Sequence, residues 1–317
     1  MATSFSPTNS VTVTTAEKFI PEIWSDEIVA AYKKNLVLAN LVMKMNFKGK
    51  KGDVVHIPAP TRGSASAKAA ETAVTLIAAT ESEVQVSINK HYEYSRLIED
   101  IVEAQALNSL RNFYTSDAGY ALAKQVDTDL VQLGRSTNGG AGTNAYATGA
   151  FIGGDGTTAY VAANNNESAL TDAAIRRTIQ RLDDTDTPMD QRFFLIPPSS
   201  RNTLMGLARY TEQAFVGGTN STIRTGEIGN LYGIPVFVSS NCDTASGTNN
   251  ARVCLMGHKD SMVLVEQMAI RSQVQYQQPY LATLYTADTL YGVQILRSAA
   301  STGAAKSASM FALIVPA

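Results

Sequence analysis

Cysteine, histidine and tryptophan are scarce: the 317 residues include two cysteines, three histidines and one tryptophan. Cys242 and Cys254 are too few and too isolated for a disulfide framework or a CxxC metal site, so both are expected to be half-buried thiols. His56, His91 and His258 stand apart in sequence. The first two sit in strand-like alternating runs, which predicts strand surface positions. No HExxH, GxSxG, CxxC or GxxxxGK[ST] occurs. The nearest dinucleotide look-alike, Gly140 to Ala145, follows a helical pattern and leads into no helix. It therefore lacks the strand-then-helix setting in which free N–H groups hold a pyrophosphate. No catalytic, cofactor-binding or metal residues are predicted. Charge is also short, at 17% of residues against ~25% in typical soluble proteins. With 26 Lys+Arg against 28 Asp+Glu the net charge is −2, which excludes a global cationic field for nucleic acid. No apolar run approaches the ~18 residues of a membrane helix. The first residues have no basic segment followed by an apolar one, so a soluble protein made in a cytoplasm is expected.

What is present is strongly patterned. Residues Met1 to Thr15 are rich in Ser and Thr and read as an arm that cannot bury itself. Thr14 to Glu17 fits a capping box, and Trp24, Ile28, Tyr32 and Leu36 follow at helical spacing. From Gly49 to Arg96 the period becomes two. Asp53 to Pro58 reads as one strand, and Val84, Val86, Ile88, Tyr92 and Tyr94 mark a second of ~40 Å. The Ala/Ser/Thr segment between them has little to bury. The unit reads as a long hairpin whose partner is another chain, since two strands alone are marginal. Ile98 to Leu133 then keeps a 3.6-residue period throughout, predicting a spine helix of ~54 Å.

The remainder reads as an α/β region. Thr171 caps a helix carrying Ile175, Ile179 and Leu182 on one side and Arg176, Arg177 and Arg181 on the other. Those arginines are read as a solvated face balancing Asp183, Asp184 and Asp186. Phe193 to Ile196 is a buried strand stopped by Pro197-Pro198, with a helix from Ser200 to Tyr210. Gly233 to Ser239 and Val253 to Met256 are further strands. Met268 to Gln277 alternates, and Tyr291 to Leu296 and Phe311 to Val315 supply late strands that return to the hairpin's base.

In its order of parts, and in the phrases GKKGDVVHIPAP, AIRRTIQRLDDTDTPMDQRFFLIPPSSRNTLM, GNLYGIPVFVSSN, ARVCLMGHKDSMVLV and LYGVQILR, the chain resembles the major capsid proteins of tailed bacteriophages. The resemblance implies an α+β, HK97-like capsid fold. Its parts would be an N-terminal arm and helix at 1–48, an extended β-hairpin loop at 49–96, a peripheral domain with the spine helix at 97–165 and 266–317, and an α/β axial domain at 166–265. It further implies a shell subunit that forms hexamers and pentamers of itself in the virion capsid after assembly in host cytoplasm. Its expected partners are a portal, a separate scaffolding or cement protein, and packaged double-stranded DNA bound without sequence specificity, with no membrane. Because the family lays one subunit's loop over its neighbour, charge balance suggests a latch. From Lys44 to Arg96 eight residues are basic and five acidic, whereas from Ile98 to Leu133 two are basic and six acidic. The expected intersubunit contacts are Lys50, Lys51, Arg62 and Lys68 against Glu99, Asp100, Glu103, Asp117, Asp127 and Asp129, each exposed pair worth only ~0–1 kcal/mol. The rival readings are an encapsulin-type nanocompartment shell and a soluble α/β enzyme.

Overall fold

The computed structural model describes residues 37–49, 51–60, 63, 65–74, 76, 81–101, 109–135, 150–161, 166–207, 229–242, 251–296 and 309–317. The expected arm and first helix, and the Gly140 to Ala145 look-alike, lie outside the described residues. Two larger sheets and one two-stranded hairpin organise the rest. A four-stranded sheet has the order β1 (Met43–Asn46), β10 (Met262–Gln277), β11 (Ala282–Ile295), β4 (Lys90–Glu99). A six-stranded sheet runs β5 (Ala150–Ile152), β12 (Met310–Val315), β9 (Arg252–His258), β6 (Arg192–Ile196), β8 (Ile234–Val238), β7 (Asn230–Leu231). Strands β2 (Val54–Pro60) and β3 (Glu81–Ser87) pair with each other in a two-stranded sheet.

The six-stranded sheet explains the near-continuous apolar runs in its strands, because both its faces are covered. On one face Phe193, Leu195, Val253, Leu255, Ala312 and Ile314 join a core with Leu130 and Val131 of the helix α2 (Ser109–Arg135). On the other, Phe194, Ile196, Met256, Phe311 and Leu313 meet Ala174, Ile175, Leu182 and Leu204 of α3 (Asp172–Asp184) and α4 (Pro198–Met205). The cap read from sequence at Thr171 holds, its hydroxyl accepting from Ala174 N, whereas the helix expected from Ser200 to Tyr210 runs from Pro198 to Met205, with Pro198 in the first turn, where a missing N–H costs nothing. Helix α2 also covers one face of the four-stranded sheet, where Ala118 and Leu122 meet Ala287, Tyr94 and Tyr285. The opposite face is covered near the base of β10, where Val263 and Val265 pack under Val55, Val86 and Ile88 at the foot of the hairpin.

Several expectations change. Both cysteines are fully buried rather than half-buried, one in each core. Burial pushes the Cys254 thiol up to about 12, and its Sγ lies 3.4 Å from Ser200 Oγ, so it is an inert core side chain. The long second strand of the hairpin is two strands that part after Ser87. β3 stays with β2, while β4 pairs with β11 from Glu99↔Ala282 to Lys90↔Tyr291. Ile98 therefore belongs to a strand, not to the spine helix. The described helix has 27 residues, ~40 Å of rise. The spacing of Ile98, Ile101 and Val102 suits a helix, but pairing along β11 decides the conformation of the first of them. Finally, β12 does not return to the hairpin's base. It lies inside the six-stranded sheet, antiparallel to β9 and parallel to β5.

Candidate functional site

Among the described residues, two exposed surfaces stand out. The hairpin supplies the first. Its strands pair from Val54↔Ser87 to Pro60↔Glu81, and beyond them the described tip residues are all exposed. Val74 and Leu76 are 68% and 88% accessible there. Two large apolar side chains exposed on the tip make it a candidate contact surface. The tip holds one tight turn, with Thr72 N and its hydroxyl both donating to Ala69 O and Glu71 at φ 63°. His56 and Glu83 pair across the hairpin at 3.0 Å, and Glu83 also accepts from Gln85. These bonds hold the Glu83 carboxyl below the usual carboxylate range.

The second surface is the distal half of the four-stranded sheet. Beyond the hairpin's foot, Ile270 to Tyr276 of β10 are all exposed, and the β10–β11 turn presents Tyr280 and Leu281. Here Asp288 accepts from Arg271 Nε and Nη2 at 2.7 and 3.0 Å and contacts His91 Nε2 at 3.1 Å. The Arg271 bonds hold the Asp288 carboxyl below its ordinary range. His56 and His91 occupy strand surfaces as expected, with more than half of each side chain accessible.

The ten residues expected to form the latch divide sharply. Lys50, Arg62 and Glu103 lie outside the described residues. Lys51 and Lys68 are exposed at the foot and tip of the hairpin, and Glu99 and Asp100 are exposed where β4 ends. Asp100 accepts from Tyr276 OH at 2.7 Å, and the half-buried Asp117 accepts from Tyr94 OH at 3.2 Å. Asp127 and Asp129 are corrections. They are 0% and 5% exposed, and each is bound within its own chain. Asp127 accepts from the backbone N–H groups of Leu38 and Ala39 with one oxygen and from Asn241 Nδ2 with the other. It thereby ties the spine to the short helix α1 (Leu38–Leu41) and to the loop after β8. Asp129 accepts from Tyr291 OH at 2.7 Å and pairs with Lys90 Nζ at 3.0 Å. Part of the excess positive charge counted from Lys44 to Arg96 is thus met inside the subunit, by Lys90 of β4.

Sequence reasoning also missed the structural use of two basic side chains. Arg181 lies over the Phe151 ring, 3.4 Å from its centroid, rather than on a purely solvated face. Arg192 is buried, bonded to Thr187 O and Pro188 O and paired with Asp183. Among the described residues no group of three or more His, Cys, Asp or Glu is arranged to hold a metal ion, and no helix is long and apolar enough to cross a membrane.

Comparison with known proteins fits these surfaces. The family model described as "Phage capsid family" matches residues 17–302. No curated protein matches the sequence. Among solved structures, the chain is similar to one from Mycobacterium phage Che8, with a TM-score of 0.72 and 20% identity over 93% of this chain and 97% of that one. It is equally similar to the capsid structure of the cyanophage P-SCSP1u, with a TM-score of 0.72 and 19% identity over 99% of both chains. The mature capsid of bacteriophage PhiM1 follows at 0.68 and 13% identity, over 93% and 92%. The fold is therefore the HK97-like fold of phage capsids, and the match to most of the sequence makes this chain a member of the phage capsid family.

Proposed function

We propose that the chain is the major subunit of a tailed bacteriophage head, assembling with copies of itself into hexamers and pentamers of an icosahedral shell around double-stranded DNA. The observation that carries this reading is a hairpin whose apolar tip its own chain leaves uncovered, on a fold that overlaps phage capsids over nearly its whole length. In this assignment residues 54–87 are the extended loop. The four-stranded sheet with α2 forms the peripheral domain, and the six-stranded sheet with α3 and α4 forms the axial domain. The loop lies over the next subunit, with Lys51 and Lys68 facing acidic residues such as Glu99 and Asp100. A portal and a separate scaffolding or cement protein complete the head, which assembles in host cytoplasm and persists as the virion capsid. Phage capsids as the structural relatives favour this over an encapsulin-type compartment.

Electron microscopy of the purified protein, expressed alone and with the head genes encoded beside it, tests the reading. Closed icosahedral particles support it. A monodisperse small oligomer under both conditions overturns it.

A further inference from the structure

An open strand edge runs along the four-stranded sheet. Among the described residues, β1 covers β10 only from Val263 to Glu266, in parallel register, and β10 then continues to Gln277 with β11 on its other side alone. Over this stretch β10 is outermost among the described strands, and Ile270 to Tyr276 are exposed on both faces of the strand. Sheets guard such edges with lysine, proline or charge, because a row of unpaired N–H and C=O groups recruits another strand. The opposite edge follows that rule: β4 carries Lys90, Glu93, Arg96 and Glu99. From Ala269 to Gln277 β10 has no proline, no lysine and one charge, Arg271, whose guanidinium is bound to Asp288.

The hairpin has one edge able to meet it. Ile88 N donates to Asp53 O. In an antiparallel ladder this fixes residues 53, 55, 57 and 59 of the first strand as facing β3, and 54, 56, 58 and 60 as facing outward. Pro58 and Pro60 occupy two of those outward positions, so the outer edge of β2 has lost donors and is closed to strand addition. β3, of sequence ESEVQVS, has neither proline nor lysine. The Ser87 carbonyl already abuts Gly292 of its own chain, which leaves Glu81 to Val86, ~20 Å, within the ~30 Å of open β10. Glu83 is already paired with His56 and Arg271 with Asp288, so the match rests on main-chain groups and strand length rather than on charge.

We propose that the open edge of β10, Ala269 to Gln277, accepts strand β3 from a second copy of this chain, so that the four-stranded sheet continues across the subunit boundary. The inference rests on the shell reading above and names one of its contacts. Main-chain hydrogen bonds supply the attachment, which suits a joint repeated through a shell whose copies are related by slightly different rotations.

Hydrogen exchange of assembled particles against their dissociated subunits tests the joint. The expected result is slowing by about tenfold or more at backbone amides of both 270–276 and 81–87 in particles. Val274→Lys adds a second readout: it guards the edge at an exposed position, so subunits should keep their circular dichroism while particle yield falls. Particles that form without protection at 270–276, or with protection there and none at 81–87, overturn the proposal while leaving the shell reading intact. If no particles form at all, the shell reading falls and this inference with it.

Discussion

Two aspartates one turn fragment apart on the spine helix show how a residue's neighbours decide its role. Burial pushes the Asp127 carboxyl above the ordinary carboxylate range, against the pull of its bonds from Asn241, Ala39 and Leu38. The folded protein therefore keeps this proton at pH values where the unfolded chain has lost it. Its contribution is full below about pH 4 and is lost as pH rises through the raised value. Asp127→Asn should flatten that part of the stability profile in urea titrations of dissociated subunits. Asp127→Ala should cost about 2–4 kcal/mol, because it leaves the Leu38, Ala39 and Asn241 donors without their acceptor. Tyr291→Phe should cost less, about 1–2 kcal/mol, since Lys90 still serves Asp129. Burial and the bond to Asp129 raise the Tyr291 hydroxyl far above its normal range, so Tyr291 absorbance should not titrate before alkaline unfolding. None of this was visible in the sequence. Counting acids along a helix cannot distinguish Asp127 and Asp129, which point into the core, from Glu99 and Asp100, which face solvent.

At the level of elements, the sequence was most informative where one period applied to a whole segment. The apolar strands around Phe194, Cys254 and Leu313 alternate between two cores, and the cap at Thr171 was legible because it depends on adjacent residues. The boundary at residues 88–99 was not. Apolar residues keep the same phase from β3 into β4 with one interruption, at Lys90, and only the long-range partner, β2 or β11, divides the run. That crossing depends on Gly292. A Cβ there would lie 2.5 Å from the Ser87 carbonyl oxygen, and a backbone atom cannot rotate aside. Gly292→Ala should therefore lift the hairpin's foot from β11 and cost about 1–3 kcal/mol. The thermal midpoint of the subunit checks the cost, and faster exchange at Val86 and Ile88 checks the location.

For the molecule as a whole, the proposed shell role would account for the low charge content. Val74, Leu76, Ile270, Val274, Tyr280 and Leu281 are each exposed, and obligate interfaces are poor in Lys, Glu and Asp. The same balance bears on DNA. A chain of net charge −2 should bind it weakly and without sequence preference. Dissociated capsomers should therefore show a shallow dependence of affinity on salt, equivalent to only a few phosphate contacts. The family was legible from the order of parts, whereas the joint between subunits was not, because an open edge exists only once the other strands have been placed. The most direct test is an electron cryo-microscopy reconstruction of particles assembled from this chain. The account predicts five- and sixfold capsomers in which each hairpin lies on the next subunit, with Val74 and Leu76 covered. A closed particle whose hairpins fold back onto their own subunits, or a small oligomer with the tips still in solvent, would contradict it.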